Sequence, residues 1–599
     1  MNKATKAAVT EICSQYGNDR SNMMDILRAV QERLGGIYGE TMDVIAESVS
    51  APRVEVESTA SFYSFLSGKP TGEVVIRLCN DVIDKMYRVD RVAAAFSEEL
   101  GIGFGETTAD GKITLEWTPC IGMCDQAPAA LVNDEVMTRL STDHARDIVA
   151  SLKSGKEYYK LPHELGDGNN AHKLVHSMVV NHIRRPGKVI FADFQPGTGL
   201  ANALGMRPVE VIRCMKIARL RGRGGAGFPT GLKWEFTHAA DGERKFVICN
   251  ADEGEPGTFK DRVILIERAD LLFEGMTIAG YAIGSDAGVL YLRGEYAYLR
   301  RHLERILGER REAGLLGENV CGKEGFDFDI RIQMGAGAYI CGEETALISS
   351  CEGLRGDPKN RPPFPAQKGF LGEPTVVNNV ETLCCAARIM EKGAAWFSQF
   401  GTKGSAGTKL LSICGDCDRP GVYEVNFGTK LSEVLEMAEA ADPAAVQVSG
   451  PSGQMVAPGD FDRAICFDDL ATGGSIMVFN SKRDLLEIVA EFMDFFIDES
   501  CGYCTPCRVG NVLLKERLDK IRSGHGSPED LDYLQALGET VKTASRCGLG
   551  QTSPNPILTT LANFRQLYEA LVKPATGELL ATFDLESALS EAKALAQHD

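Results

Sequence analysis

The segment ESCGYCTPCRVG sets Cys501, Cys504 and Cys507 two residues apart, and a fourth cysteine, Cys547, follows in SRCGLG. A chain with this C-x2-C-x2-C…C pattern must fold so that one tight loop and one remote residue meet. Three thiolates on a loop can each hold one iron of a cubane, and a distant fourth completes the all-cysteine ligation of a 4Fe-4S cluster. Zinc is the natural competitor, but structural zinc usually joins two separated C-x2-C knuckles, and here the fourth ligand is a lone cysteine. With 18 Cys in 599 residues, the chain is too sparse in cysteine for a disulfide scaffold.

Lys+Arg 64 against Asp+Glu 83 leaves a net charge of −19, which argues against nucleic acid or anionic lipid as the main partner. No apolar run is long enough to span a membrane, and MNKATKAAVTEICSQYG lacks a signal-peptide core, so a cytoplasmic location is expected. The length predicts several domains.

In SNMMDILRAVQERL, residues 21–34, apolar side chains fall on one helical face, with Ser21 as N-cap and Gly35 as stop. EVVIRLC (73–79) and ITLEWTPC (113–120) read as strands, each running into a cysteine, with a helix around 88–100 between them. Polar, Gly- and Asn-rich residues 154–184 read as a linker. From 185 to 404, short apolar strands such as KFVIC and GVLYL alternate with helices, predicting an α/β layer domain. Residues 405–481 read as a small β-rich module. Helices dominate 482–580, and 581–599 form a tail.

Three segments carry candidate ligand chemistry. RLRGRGGAGFPTGLKW contains Gly222, Gly224, Gly225 and Gly227, formally a G-x-G-x-x-G, but it follows a helical pattern where the dinucleotide fingerprint needs a strand. It is either a phosphate-binding loop, with Arg221, Arg223 and Lys233 as nearby charge, or a tight turn. CNADEGEPGTFKDR places Asn250, Asp252, Glu253 and Glu255 after a strand, where carboxylates can accept ribose hydroxyls and would disfavour a 2′-phosphate; calcium binding is the alternative. GAGAYICGEETALISSCEG sets Gly342, Glu343 and Glu344 at the start of a helix, where acidic residues also complement the helix dipole. Cys414 and Cys417 read as ordinary thiols. His172 and His176 read as solvated imidazoles on a helix.

These segments, with RPPFPAQKG (361–369) and PTVVNNVET (374–382), closely resemble the flavoprotein subunit of respiratory NADH dehydrogenase and its relatives in soluble hydrogenases and formate dehydrogenases, over roughly 185–580. The resemblance implies FMN held by Gly222, Gly224, Gly225, Gly227, Lys233, Asn250, Asp252, Tyr339, Gly342, Glu343, Asn378 and Asn379. It also implies NAD(H) over the flavin, with aromatic contacts at Phe228, Phe236 and Phe364 and carboxylates at Glu253, Glu255 and Glu344. Glu343 and Glu344 would position the nucleotide at the reaction centre. Where that family often has Lys before the PPF tripeptide, this chain has Arg361.

Residues 10–150 are similar to the thioredoxin-like 2Fe-2S subunit of the same enzymes. The family pattern C-x4-C and C-x3-C falls on Cys79, Asp84, Cys120 and Cys124, so three thiolates and one carboxylate would hold a 2Fe-2S cluster; the rival is a vestigial domain kept for subunit contacts. The fusion most resembles diaphorase subunits of NAD-reducing NiFe hydrogenases. The implied architecture is multidomain α/β: an N-terminal helical unit (1–70), a thioredoxin-like domain (71–153), a Rossmann-like FMN/NAD domain, a β-grasp-like module and a helical bundle carrying the 4Fe-4S cluster. The implied partners are an iron-sulfur ferredoxin-like subunit and NiFe hydrogenase subunits in a hetero-oligomer. Formate dehydrogenase or a quinone-reducing complex are rival electron partners, and a non-enzymatic relay is the rival of another class. This chain lacks the paired thiolate motifs that activate hydrogen.

Overall fold

A computed structural model describes residues 3–573 and residue 589, so the expected tail at 581–599 lies outside the described residues apart from Leu589. Four helices open the chain: Lys3–Gln15, Met23–Leu34, Gly39–Ser48 and Arg53–Ala60. The second begins later than its apolar period suggests. Asp19 accepts the Ser21 N–H across a 3-10 turn, so Ser21 does not cap the helix, while Gly35 ends it at φ 72° as expected.

The next unit is a five-stranded sheet in the order Glu106–Thr107, Ile113–Thr118, Val74–Cys79, Ala130–Val132, Glu135–Met137. Its two central strands, Val74–Cys79 and Ile113–Thr118, are parallel, and helices Val89–Leu100 and Thr142–Lys153 pack against each other beside it. Both of these strands deliver a cysteine region, Cys79 and Pro119–Cys124, to the same end.

Residues 154–184 run against the neighbouring domain. Asn169 and Asn181 donate to the Glu267 carboxylate, and Ile183–Arg185 adds an edge strand to a later sheet. No helix forms at His172–His176. The segment folds back on itself through Ser177 N–H to Asn170 O and Gly166 N–H to Ser177 O, which bury Val175 and Val179. Tertiary bonding has overridden a local helical period. His176 is exposed, whereas His172 sits edge-on to His302.

A four-stranded, wholly parallel sheet follows, ordered Thr375–Asn379, Phe246–Ala251, Ala287–Leu292, Asp329–Met334. Helix Ala269–Ile283 is buried along nearly its whole length and packs on Val380–Lys392. The chain winds one way from Phe246–Ala251 through the next two strands, then returns to the other side with Thr375–Asn379. The strand order therefore reverses between these two neighbours, and open α/β sheets bind ligands at the carboxyl ends of strands at such a switch point.

The module that follows is a six-stranded mixed sheet ordered Gln454–Val456, Pro443–Val448, Ser475–Asn480, Thr408–Gly415, Gly421–Asn426, Ile183–Arg185, with helix Leu431–Met437 against it. Finally, Leu485–Asp498, Thr505–Lys520, Pro528–Ala544 and Asn555–Asn563 form a bundle around Met493, Leu514, Leu534 and Val541.

Candidate functional site

The parallel register puts Asn379 opposite Asn250, at the ends of the two strands that flank the switch point. A cavity of about 500 Å³ opens there, within the usual range for small-molecule sites. Its wall includes Gly224 and Gly225 of the glycine-rich loop, Asn250, Asp252, Glu253 and Glu255, Tyr339, Gly342 and Glu343, and Asn379. Ten of the expected cofactor residues, from four separate segments, thus meet on one surface. A second cleft, about 640 Å³, lies at the amino ends of strands Phe246–Ala251, Ala287–Leu292 and Asp329–Met334, but its Arg300 and Arg311 are already paired with Glu304 and Asp329.

The glycine-rich loop joins helix Pro208–Ile217 to helix Thr230–Ala239, closed by Gly222 N–H to Phe228 O at 2.9 Å. A Cβ on Gly224 would stand 3.2 Å from Asn379 Cβ, so the loop needs that glycine to lie along the strand end. Gly225 has φ 118° and nothing within reach of a Cβ, leaving open space in the cavity. Arg221 and Arg223 do not supply phosphate charge. Arg223 is fully buried, donating to Arg221 O and Ala406 O, and Arg221 lies over the Phe467 ring.

Lys233 donates to Glu344 at 2.6 Å and to Val377 O at 2.9 Å, and Arg361 approaches Glu344 at 3.3 Å and Glu343 at 3.8 Å. Burial opposes ionisation of Glu344, but Lys233 and Arg361 outweigh it and hold the carboxyl below its ordinary range. Glu343 caps helix Glu344–Cys351 by accepting the Thr345 and Ala346 N–H groups. Gly222, Gly227, Phe228, Lys233, Phe236, Glu344, Phe364 and Asn378 are not on the cavity wall. Asn378 accepts the Trp234 indole N–H at 2.9 Å. Phe228, Phe236 and Phe364 are each about half exposed, unlike the aromatics of the core.

The acidic loop divides its labour. Glu253 accepts the backbone N–H groups of Asp261 and Arg262, capping helix Lys260–Glu267, and the Tyr296 hydroxyl. Glu255 accepts the Tyr339 hydroxyl at 2.5 Å and the Ser452 N–H at 2.8 Å; burial pushes its pKa up to about 7. Burial also raises Asp252 well above the carboxylate range, and its Oδ2 has no hydrogen-bond partner. A buried unpartnered carboxyl oxygen on a cavity wall fits a ligand that carries a hydrogen-bond donor, and FMN has such donors in its ring N–H and hydroxyl groups.

Sequence reasoning misses part of the wall. Ser449, Ser452 and Gly473 come from the β module, and Gly548, Leu549 and Thr552 from the bundle. No local pattern marks them, because their role exists only once three domains converge. Lys260 and Asp261 stand in the acidic segment itself, and their charge beside its carboxylates is the signal that could find them; Lys260 is buried between Asp261 and Glu381 at 2.7 and 3.0 Å.

The four bundle cysteines converge from two connections. Cys501 and Cys504 lie on the loop after Leu485–Asp498, Cys507 in the first turn of Thr505–Lys520, and Cys547 immediately before helix Gly548–Thr552. Cys504 and Cys547 are helix N-caps, where the helix dipole favours thiolate charge. Burial pushes Cys507 and Cys547 up to about 11, with neighbouring cysteine charges adding to it. The four sulfurs are close enough to raise one another's pKa, and three cysteines on one connection with a fourth from another is the arrangement of an all-cysteine cubane.

In the thioredoxin-like domain, Cys79, Asp81, Asp84, Cys120 and Cys124 are all buried, in two overlapping groups whose donor atoms lie within 4.8 Å: Cys79, Asp81 and Asp84, and Asp81, Cys120 and Cys124. This donor set of thiolates and carboxylates fits iron. The spacing pattern names Asp84 and passes over Asp81. Arg262 ties this pocket to the flavin domain through Asp125, and Arg293 through Cys120 O.

A parallel α/β sheet with a ligand cavity at its switch point, walled by a cysteine-bearing bundle, defines a nucleotide- and flavin-linked redox protein. Comparison with known proteins agrees. Residues 9–153 match the thioredoxin-like 2Fe-2S ferredoxin family, 215–388 the Nuo51 FMN-binding domain, and 487–571 the NADH-ubiquinone oxidoreductase-F iron-sulfur binding region. The chain is 49% identical over 583 residues to the alpha subunit of the NAD-reducing hydrogenase HoxS of Cupriavidus necator, covering 97% of both chains. It is 39% identical to the mitochondrial NADH dehydrogenase [ubiquinone] flavoprotein 1 of Dictyostelium discoideum, over 61% of this chain and 79% of that one. A crystal structure of an NAD+-reducing NiFe hydrogenase in the H2-reduced state contains a chain with TM-score 0.86 and 37% identity, each chain covered to 97%. This protein belongs to the family of NAD-reducing hydrogenase alpha subunits.

Proposed function

We propose that this chain is the cytoplasmic diaphorase subunit of a hetero-oligomeric NAD-reducing NiFe hydrogenase. It exchanges hydride between NAD(H) and FMN and single electrons with iron-sulfur centres that lead to a ferredoxin-like subunit and the NiFe subunits. One observation carries this reading: the cavity that would hold the flavin and the cage of four cysteines share a wall, since Gly548, Leu549 and Thr552 line the cavity and Cys547 directly precedes them. No helix among the described residues is long and apolar enough to cross a membrane.

FMN, when bound, takes up a hydride as an electron pair and returns the electrons singly, the conversion that iron-sulfur centres require. The chain's residues supply the rest. Gly224 and Gly225 leave room for the ligand, Asn250, Asp252 and Asn379 offer polar contacts from the strand ends, and Lys260 is the cation on the wall, with Lys233 beyond it paired to Glu344. Phe228, Phe236 and Phe364 offer aromatic faces to NAD(H), with Glu255, Glu343 and Glu344 positioning it. Cys501, Cys504, Cys507 and Cys547 hold the 4Fe-4S cluster; Cys79, Cys120 and Cys124, with a carboxylate, hold the 2Fe-2S cluster.

The test is NADH-driven ferricyanide reduction by the purified chain with FMN restored, alongside flavin and metal counts in the co-purified assembly. Flavin-dependent turnover with nickel in the assembly is expected. No turnover with flavin bound would overturn the diaphorase assignment, and molybdenum in place of nickel would overturn the hydrogenase partner.

A further inference from the structure

The thioredoxin-like domain is one thiolate short of a four-cysteine set, and two carboxylates reach the gap. Their surroundings differ. Asp84 Oδ1 accepts the Ala129 N–H at 2.8 Å, its carboxyl also meets the Cys79 thiol, and its donor atom groups only with Cys79 and Asp81, away from Cys120 and Cys124. Asp81 stands in both donor groups, within 4.8 Å of Cys79 on one side and of Cys120 and Cys124 on the other. Its two oxygens are also separated in role. Oδ1 caps the short helix Val82–Met86, accepting the N–H groups of Ile83 at 2.8 Å and Asp84 at 3.0 Å, while Oδ2 faces the Cys124 sulfur at 3.2 Å.

We propose that Asp81, rather than Asp84, supplies the fourth ligand of the 2Fe-2S centre, completing Cys79, Cys120 and Cys124. This inference rests on the reading that the domain holds that centre. A carboxylate is a hard donor that iron accepts beside thiolates, and it carries the same charge as the cysteinate it replaces. The two backbone N–H groups on Oδ1 fix the rotamer, so Oδ2 is aimed before metal arrives, as second contacts orient ligands at other metal sites. Asp84 then serves as an anchor for the loop at Ala129, a role that needs an acceptor and not a metal-binding anion.

The distinguishing experiment compares Asp81→Asn and Asp84→Asn in the full-length chain, reconstituted anaerobically with iron and sulfide and reduced with dithionite. Asparagine caps helices as well as aspartate and also keeps an acceptor for Ala129, so both variants should fold. Asp81→Asn is expected to hold about two irons fewer per chain than wild type and to lose the 2Fe-2S EPR signal while keeping its 4Fe-4S signal and flavin. Asp84→Asn is expected to keep both signals. Cys414→Ser, which removes a further thiol beside Cys124, is expected to do the same. Loss of the 2Fe-2S signal in Asp84→Asn or Cys414→Ser, or its retention in Asp81→Asn, would overturn the assignment. Wild type with only four irons and no such signal would remove the centre itself, and the inference with it.

Discussion

Replacing Glu255 with glutamine isolates the electrostatics of the cavity wall. Glu255 is buried, and burial raises its pKa from 4.5 to about 7. Between those values the unfolded chain releases the proton while the folded chain retains it. The group's contribution therefore falls as pH rises through this window, and the fall is complete above pH 7. A shift of about 2.5 units at 1.36 kcal/mol per unit makes it roughly 3 kcal/mol. Glutamine never ionises, so the Glu255→Gln variant lacks this fall. It still offers an oxygen to the Tyr339 hydroxyl or the Ser452 N–H but not to both, a loss of about 1 kcal/mol at every pH. The variant should thus be less stable than wild type near pH 4.5 by about 1 kcal/mol and more stable near pH 8 by about 2 kcal/mol. Unfolding midpoints of the nucleotide-free protein across that range measure the crossing. Parallel pH curves for the two proteins would refute the reasoning, because they would mean that Glu255 ionises in the fold as it does in water.

Gly224→Ala should weaken FMN binding at least tenfold in a fluorescence titration, since its Cβ would press on Asn379 at 3.2 Å and push the loop into the cavity; unchanged affinity would show that the loop does not touch the flavin. Cys547→Ser should remove about four irons per chain and abolish reduction of one-electron protein acceptors, while NADH-ferricyanide activity, which draws on the flavin directly, is largely kept. Lys233→Met leaves Glu344 with only Arg361 at 3.3 Å, so NADH turnover should fall and Glu344 should titrate nearer its ordinary range, visible as a new acid limb in the pH profile. A profile identical to wild type would exclude Glu344 from the nucleotide site.

The parts of the site that can be read in advance are those encoded by contiguous spacing. Cys501, Cys504 and Cys507 are neighbours in sequence and remain neighbours in space, because a loop into the first turn of a helix cannot separate them far. The acidic loop and the Asn378–Asn379 pair are legible for the same reason: each ends a strand, and a parallel sheet brings strand ends together. Arg223 misleads because a basic residue beside glycines resembles a phosphate ligand; only the β module, whose Ala406 carbonyl it reaches, reveals it as a buried tie. Glu253 looks equivalent to Glu255 in sequence, yet one caps a helix and the other ties the cavity wall to the β module, a distinction that depends on where helix Lys260–Glu267 begins. Asp81 escapes notice because the spacing rule points to position 84, whereas burial and proximity to Cys124 belong to three dimensions.

One turn of helix explains how the two halves of the chain act as a unit. At its start, Lys260 and Asp261 stand on the cavity wall, and Asp261 accepts the Asn379 amide at 2.6 Å. The next residue, Arg262, points the other way and pairs with Asp125 at 3.1 Å, one residue beyond Cys124. Its charge is fully buried there and so is its partner's, so removing Asp125 would leave the guanidinium without its counter-ion at a cost of about 3–5 kcal/mol. Glu253 holds this turn from the acidic loop by accepting its N–H groups. Arg293 repeats the link, donating to Glu295 and to Cys120 O. The polar wall at the flavin cavity and the thiolate pocket are thereby fixed to the same few residues of backbone. Electron exchange between centres requires a constant separation, and a buried ion pair and a charge-assisted hydrogen bond across a domain boundary hold that separation with an angular specificity that apolar packing alone does not give.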